Sequence, residues 1–288
     1  MSTSLLGQIR QAVEQLNPQE VREHAEVDIW VRLNATSETA YREMEAFFLP
    51  AGVSPAKHRE MMAAVYRRQH EGPADPQVDV YQEGLERPLD SVVFNPRRPG
   101  DLIVDILAEK QELGLPLARL FPQFRKAVTD QIVFNVAREN ATFAVMSALP
   151  ELAPGMQIPW ALPELVSDAS ILTVNQIRMA FLLAAAHDRP LGYREQKGEI
   201  GAIIAGAFGW RTVARNLVSK IPFGGGILPK AGIAFAATYV EGLSLDRLYR
   251  VGTGLSRTER NLAYGEALTR GKDVAAAIFA GLRRKPAK

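Results

Sequence analysis

A run of three glycines, Gly224 to Gly226, constrains the fold more than any other stretch of the chain. Small residues recur at every fourth position on both sides of this run; they are Gly201, Ala205 and Gly209 before it, and Gly232 and Ala236 after it. This spacing lets two helix backbones approach closely, and glycines supply the backbone angles of a short reversal. The pattern predicts a tight, glycine-cornered helical hairpin over residues 199–249.

A phosphate-binding loop is the alternative for this corner, because Lys230 follows the glycines. A Walker loop requires the pattern GxxxxGK[ST] behind a strand, so that backbone N–H groups and a lysine converge on phosphate. Here the segment ILP separates Lys230 from Gly226, alanine follows the lysine, and helix-like sequence precedes the glycines. We therefore interpret Gly224, Gly225, Gly226 and Lys230 as packing or interaction residues and expect no cofactor.

The hairpin also raises the question of contact with lipid. Its uncharged run from Ile200 to Trp210 has about half of the roughly 20 residues that a spanning helix needs, and Arg211 and Arg215 end the run. Short apolar runs with cationic flanks lie in a protein core or at a membrane surface. The sequence favours the core, where Trp210 is a packing or interface anchor, and leaves lipid contact as the alternative.

The composition excludes several classes of function. The chain has 288 residues, of which 47% are hydrophobic and 23% are charged, as in a folded protein. Because it has no cysteine, disulfides, thiolate catalysis and thiolate-held zinc are excluded. A net charge of +2 argues against nucleic acid as a partner. The four histidines fit no metal-binding spacing, and we expect neither a metal site nor a catalytic site.

The chain divides into three parts, because the pattern of strand-like and helix-like segments changes along the sequence. We expect an N-terminal helix over residues 1–25, a small α/β domain over 26–98 and a helical domain over 99–288. The fold class is therefore mainly α, with a small α/β N-terminal part before a C-terminal multi-helix domain. The start of the chain reads as an amphipathic helix and not as a signal peptide, so we expect a cytoplasmic protein.

The α/β part has the strand-then-helix order of a nucleotide-binding fold but lacks its phosphate-binding sequence motif. VDIWVRL, residues 27–33, alternates like a strand, and VDVYQEGL and SVVFNP are further short strands. Helices are expected from Thr36 or Ser37 to Phe48, and from Pro55 to about Gln69. The turn after the first strand, NATSET, has no glycine and matches no nucleotide-binding fingerprint.

Polar residues inside the helical part are the remaining candidates. Asn175, Gln176 and Arg178 interrupt an apolar helix, and buried polar groups must find partners; we expect a structural network that reaches Asp168 or Glu199, with contact to a ligand or partner as the alternative. Glu195 lies one helical turn before Glu199. The neighbouring Arg194 and Lys197 predict ion pairs for these two carboxylates.

Four motifs in order, NQIRM, GYREQK, GAFGW and KIPFGGG, resemble the bacterial domain of unknown function 697. The resemblance covers about residues 140–265, and ENATFAVMSALPELAP resembles the lead-in to that domain. The family is a helical domain that accompanies Era-like GTPases, fused to them or separate, and it has no established enzymatic chemistry. Its members are often described as membrane-associated. Because this chain lacks GTPase motifs, the resemblance implies a GTPase partner acting in trans.

The sequence favours a non-enzymatic accessory or scaffold protein that acts through helix surfaces, beside a GTPase at the cytoplasmic face of the membrane. The alternative is a membrane-inserted or lipid-binding protein that uses the 199–249 hairpin. The expected partners are a protein, a membrane surface to which the chain binds peripherally, and a second copy of the chain.

Overall fold

The structure is a computed structural model, which describes residues 7, 9, 13–14, 16–70, 72–148, 168–206 and 227–284. The chain forms two compact units. The first, called the α/β unit here, consists of residues 20–129 and 185–189, and the second, the helical unit, consists of residues 1–19, 130–184 and 190–288. A mainly helical chain with a small α/β part near its N-terminus was predicted, and this fold class is confirmed.

The first part of the chain builds a parallel sheet with helices between its strands. Its elements are α1 (Pro18–Ala25), β1 (Val31–Asn34), α2 (Glu38–Phe48), α3 (Pro55–Ala64), β2 (Val65–Arg67), β3 (Val78–Gln82), β4 (Val92–Phe94), α4 (Asp101–Glu109) and α5 (Gly114–Leu120). Short 3₁₀ turns lie at Gln111–Leu113 and Pro122–Phe124. The four strands are arranged in the order β2-β1-β3-β4, and all neighbouring pairs are parallel.

Serine caps start two helices where the sequence predicts them. The Ser37 hydroxyl accepts the Ala40 N–H at 3.2 Å, and the Ser54 hydroxyl accepts the Lys57 N–H at 3.2 Å. The helix expected to reach Gln69 ends earlier, at Ala64, because the next three residues form β2 beside β1. Val65 and Tyr66, which open that strand, are residue types that suit a half-buried pleated surface.

Phenylalanine rings form the core of the α/β unit. Phe48 lies 5.4 Å from Phe121 and 6.5 Å from Phe124, measured between ring centres, and Phe47 lies 5.7 Å from Phe94. These contacts join α2 and the sheet to residues beyond β4. The domain boundary expected between residues 98 and 99 therefore does not coincide with the edge of the α/β unit, which continues to residue 129.

The helical unit is built mainly from long helices. They are α6 (Arg125–Ala148), α7 (Asp168–Ala186), α8 (helical residues 197–206), α9 (Ile227–Val251) and α10 (Arg257–Arg284). For the last part of the chain the sequence predicts two segments, 256–270 and 272–283, and the structure has one continuous helix there, α10. From Ile171 to His187, α7 and the residue after it are buried on nearly every side, which explains why its sequence is apolar without a clear polar face.

Helices α9 and α10 form a hairpin closed by residues 252–256. Gly252 has a φ of +85° and donates its N–H to the Leu248 carbonyl at 2.8 Å, which ends α9. Gly232 packs against α10, where a β-carbon at Gly271 would lie 2.7 Å from the Gly232 oxygen. At Gly201, which was expected to line the partner helix, an added β-carbon would meet no atom of the described residues within 4 Å.

The glycine run itself, Gly224 to Gly226, lies outside the described residues. Within 16–70, 72–148, 168–206 and 227–284, no helix has both the length and the apolar character required to cross a membrane.

Candidate functional site

The carboxyl ends of β1 and β3 are the part of the α/β unit where the topology would place a ligand. The chain leaves β1 toward β2 on one side and leaves β3 toward β4 on the other. In parallel α/β sheets, ligands bind in the crevice outside such a switch point. We call this region the sheet edge; it comprises Asn34, Thr36, Ser37, Glu38 and Gln82.

The protein's own side chains accept two of the backbone N–H groups at the sheet edge, those of Thr36 and Ala40. The Gln82 Oε1 atom accepts hydrogen bonds from the Thr36 N–H at 3.1 Å and the Thr36 hydroxyl at 3.2 Å. Ser37 caps α2 in the next position by accepting the Ala40 N–H. Free N–H groups at a helix start are what binds phosphate in nucleotide folds. Here the Gln82 side-chain amide and the Ser37 hydroxyl accept N–H groups in the place of a phosphate.

Charge at the sheet edge also disfavours an anion. Glu38 is the first residue of α2, and a hydrogen bond from Arg67 lowers the pKa of its carboxyl, which keeps it ionised. Arg67 donates to Glu38 at 2.7 Å and to Glu45 at 2.6 Å, and its guanidinium lies 4.9 Å from the centre of the Tyr41 ring. Arg67, the cation nearest the edge in these contacts, is therefore already paired with two carboxylates, and Arg42 also donates to Glu38, at 3.1 Å.

One face of the sheet carries a group of hydrogen-bonded polar side chains from β1 and β3. Arg32 of β1 donates twice to Asp79 of β3, at 3.0 and 2.7 Å. Asn34 donates to the same carboxylate at 2.6 Å, is only 2% exposed, and its Oδ1 atom has no hydrogen-bond partner among the described residues. Sequence reasoning missed this cluster, although the alternation that predicts the strands places Arg32 and Asp79 on the face opposite Val31 and Val80.

A closed ring of four charges lies elsewhere in the α/β unit. Lys57 contacts Glu60 at 2.9 Å and Asp188 at 2.8 Å, while Arg119 contacts Glu60 at 2.8 Å and Asp188 at 3.4 Å. Burial acts to raise the pKa of Glu60, but its two cationic partners outweigh burial and lower it. We call these four residues the ion ring. Its charges alternate and cancel, so it is suited to holding α3, α5 and residues 185–189 together.

Two of the polar residues predicted in α7 lie in a buried cluster of the helical unit. Asn175 donates to Asn140 of α6 at 2.7 Å, and Asn140 donates to Thr238 of α9 at 2.8 Å. Gln176 donates to the same threonine hydroxyl at 3.3 Å. We call these four residues the polar cluster. It joins three helices, and its partners are Asn140 and Thr238 where Asp168 or Glu199 was expected.

Arg178, the third polar residue of α7, pairs with Glu139 of α6. Burial raises the pKa of Glu139, and the Arg178 guanidinium opposes that shift. The Arg178 Nε atom is buried and has no hydrogen-bond partner among the described residues. The pair adds a second polar connection between α6 and α7, next to the polar cluster in the sequence of both helices.

The remaining predicted site residues are dispersed. Glu195 is exposed, and Glu199 lies near Tyr249, where burial first and the Glu199 carboxylate second raise the pKa of the tyrosine. Neither carboxylate forms the expected ion pair with Arg194 or Lys197 among the described residues. Lys230 lies in the first turn of α9 and is half-buried. The others, Trp210, Arg211, Arg215, Gly224, Gly225 and Gly226, lie outside the described residues.

Among the described residues, these polar side chains make structural contacts with one another. Across 16–70, 72–148, 168–206 and 227–284, no three His, Asp or Glu side chains are placed to hold a metal ion. No family model matches the chain, and no curated protein or solved structure matches it either.

Proposed function

We propose that the protein is a non-enzymatic accessory or scaffold protein that acts through its surface. Its α/β unit supplies a rigid body without nucleotide chemistry, and its helical unit supplies long helices with exposed faces. The partner is a protein, and the site of action is the cytoplasmic face of the membrane, where the chain binds peripherally.

The hydrogen bonds within the sheet edge support this proposal most directly. In a nucleotide-binding protein, the backbone N–H groups after β1 point at phosphate. Here Gln82 accepts the Thr36 N–H, and Ser37 accepts the Ala40 N–H. A phosphate group would have to displace Gln82 and would then meet the ionised Glu38 at the start of α2. Both changes oppose binding.

The polar cluster supports the same proposal from the helical unit. Asn140, Asn175 and Thr238 are each at most 2% exposed, and they direct their hydrogen bonds at one another. Such a network fixes the relative position of the helices that carry it. It thereby stabilises one arrangement of the outer helix faces, which a scaffold needs.

A GTPase acting in trans is the partner that we propose. The basis is the resemblance of about residues 140–265 to the domain of unknown function 697, which accompanies Era-like GTPases. The chain itself carries no GTPase motif, so the nucleotide chemistry would belong to the partner.

The experiment that tests the scaffold proposal compares the mass of the protein in two states. Native mass spectrometry of the purified chain gives its own oligomeric state, and size-exclusion chromatography of a gently lysed extract gives the mass in the cell. We expect the extract to contain a larger, salt-sensitive assembly with a second protein. Identical masses in the two states would contradict the proposal.

Lipid binding through the 199–249 hairpin is the second candidate function. It is favoured by α8, in which Gly201, Ala202, Ala205 and Gly206 are exposed and uncharged. Flotation of purified protein with anionic vesicles separates the two functions. Flotation that resists high salt would support insertion of the hairpin, salt-sensitive flotation would support peripheral binding, and absence of flotation would leave only the protein partner.

A further inference from the structure

The connection between β3 and β4, residues 83–91, ends in a turn that is held by hydrogen bonds to and from Ser91. The Ser91 N–H donates to the Pro88 carbonyl at 3.3 Å, and the Ser91 hydroxyl donates to the same oxygen at 2.6 Å. The Arg87 guanidinium donates to the Ser91 carbonyl. Ser91 is buried, so Leu89 and Asp90 form the outer corner of a β-turn anchored to the sheet.

Leu89 is 100% exposed at this corner. Single exposed apolar residues are common on protein surfaces; examples here are Val104 and Leu262, which are 66% and 70% exposed on the faces of α4 and α10. Leu89 differs from them because it stands on a fixed turn, a place usually taken by glycine, proline, asparagine, aspartate or serine. The turn presents the whole leucine side chain to the surroundings.

Acidic residues accompany the leucine. Glu86 and Asp90 are exposed on either side of it in the sequence. The only cation of the connection, Arg87, is directed back to the Ser91 carbonyl. The connection therefore offers an apolar tip with a negative flank.

We propose that residues 83–91 dock the protein onto a partner protein, with Leu89 entering an apolar pocket whose rim carries lysine or arginine side chains. This inference rests on the proposed scaffold function and names its contact surface. A turn that is already ordered loses little conformational entropy on binding. Opposite charges at the rim raise the association rate and fix the orientation of the two proteins.

Site-specific photo-cross-linking in the cells that produce the protein tests this inference. A p-benzoylphenylalanine is placed at position 89, 104 or 262 of the full chain. We expect a discrete adduct from position 89 and none from the two helical control positions. The captured protein counts only if, once purified, it binds the wild-type chain.

Variants of the full chain then test the chemistry of the contact. We expect Leu89→Ser to weaken binding at least tenfold, because the variant loses the apolar surface that the partner would bury. The melting temperature should not change, because Leu89 is fully exposed in the protein alone. The double variant Glu86→Lys with Asp90→Lys should slow association, most strongly at low salt. Val104→Ser should bind as the wild type does.

Failure of the docking inference is distinguishable from failure of the scaffold proposal. The absence of an adduct at position 89, or full affinity in Leu89→Ser, would overturn the docking role of residues 83–91. An adduct from position 104 or 262 alone would do the same, and would leave the scaffold proposal in place. The scaffold proposal fails separately, when the protein in the cell extract has the mass of the purified chain.

Discussion

Gly271 of α10 faces the backbone of Gly232 in α9 so closely that a β-carbon at Gly271 would lie 2.7 Å from the Gly232 carbonyl oxygen and 3.0 Å from the Phe235 β-carbon. No side chain can occupy that space without moving one of the helices. The two glycines therefore set the separation of α9 and α10, and a core rich in alanine packs beside them.

The first prediction concerns this helix contact. Gly271→Ala should lower the free energy of unfolding by about 1–3 kcal/mol, because the added methyl group overpacks the contact with Gly232. Gly265→Ala, in the same helix, is the matched control, since a β-carbon there meets no described atom within 4 Å. The control should be neutral or stabilise the protein by up to about 1 kcal/mol through helix propensity. Equal denaturation midpoints in urea for the two variants would contradict the close contact.

The second prediction concerns the polar cluster. Asn140→Leu removes the partner of Asn175 and one of the two donors to Thr238, and the buried Asn175 amide left unpaired should cost about 1–3 kcal/mol. Arg138→Ala changes an exposed residue of the same helix and should alter stability by no more than about 0.5 kcal/mol. Chemical denaturation measures both effects. A neutral Asn140→Leu would show that the cluster does not join α6, α7 and α9.

The third prediction separates charge from backbone strain at Asp188, which has a φ of +56°. Asp188→Asn removes the charge but keeps a side chain that tolerates this conformation. It should cost about 1 kcal/mol or less and should reduce the dependence of stability on salt. Asp188→Ala should cost about 1 kcal/mol more, because alanine is strained at this φ.

Urea denaturation at low and high salt measures both Asp188 variants. If Asp188→Asn has the salt dependence of the wild type, the two ion pairs of Asp188 contribute nothing to stability. If the two variants are equally stable, the left-handed backbone at Asp188 is not strained.

The fourth prediction concerns pH and the start of α10. Glu259 accepts the Ser256 N–H at 2.8 Å and pairs with Arg247, and these partners lower the pKa of its carboxyl from 4.5 to about 2. Because the folded pKa lies below the ordinary value, the stabilising effect is present above pH 4.5 and is lost as the pH falls toward 2.

Glu259→Gln provides the comparison for this pH effect. The difference in unfolding free energy between the wild type and this variant should be constant near neutral pH and should shrink between pH 4.5 and about 2. Measuring both proteins at each pH cancels the contribution of the other carboxylates. A difference that does not change over this range would show that Glu259 titrates normally.

Local sequence signals predicted most of the elements because those elements form for local reasons. Ser37 and Ser54 cap their helices with their own side chains. Strand β2 was missed since Val65–Arg67 becomes a strand through pairing with β1, which is distant in the chain. The helix start expected at residue 256 also has a local cause: the signal SRTE at residues 256–259 is a capping box, in which Ser256 and Glu259 bond to each other's backbone N–H groups.

The partners of polar residues were less predictable than the residues themselves. Asn175 and Gln176 were recognisable as polar positions in an apolar helix, but their contacts come from Asn140 and Thr238 on two other helices. Similarly, Gly232 was recognisable as part of a small-residue pattern, and its neighbour in space is Gly271. A spacing rule identifies which face of a helix packs, and the tertiary fold decides which helix lies against it.

The central claim is that the α/β unit has a nucleotide-fold topology but does not bind nucleotides. Calorimetric titration tests it most directly, with GTP, GDP and ATP added to the full-length protein in the presence of Mg²⁺. The closed sheet edge, with Gln82 bound to Thr36 and Glu38 ionised at the start of α2, predicts no saturable binding up to about 1 mM nucleotide, where the free energy of binding is only about −4 kcal/mol. Saturable, stoichiometric binding in the micromolar range would contradict the claim, because it would require Gln82 to leave Thr36 and the α/β unit to carry nucleotide chemistry of its own.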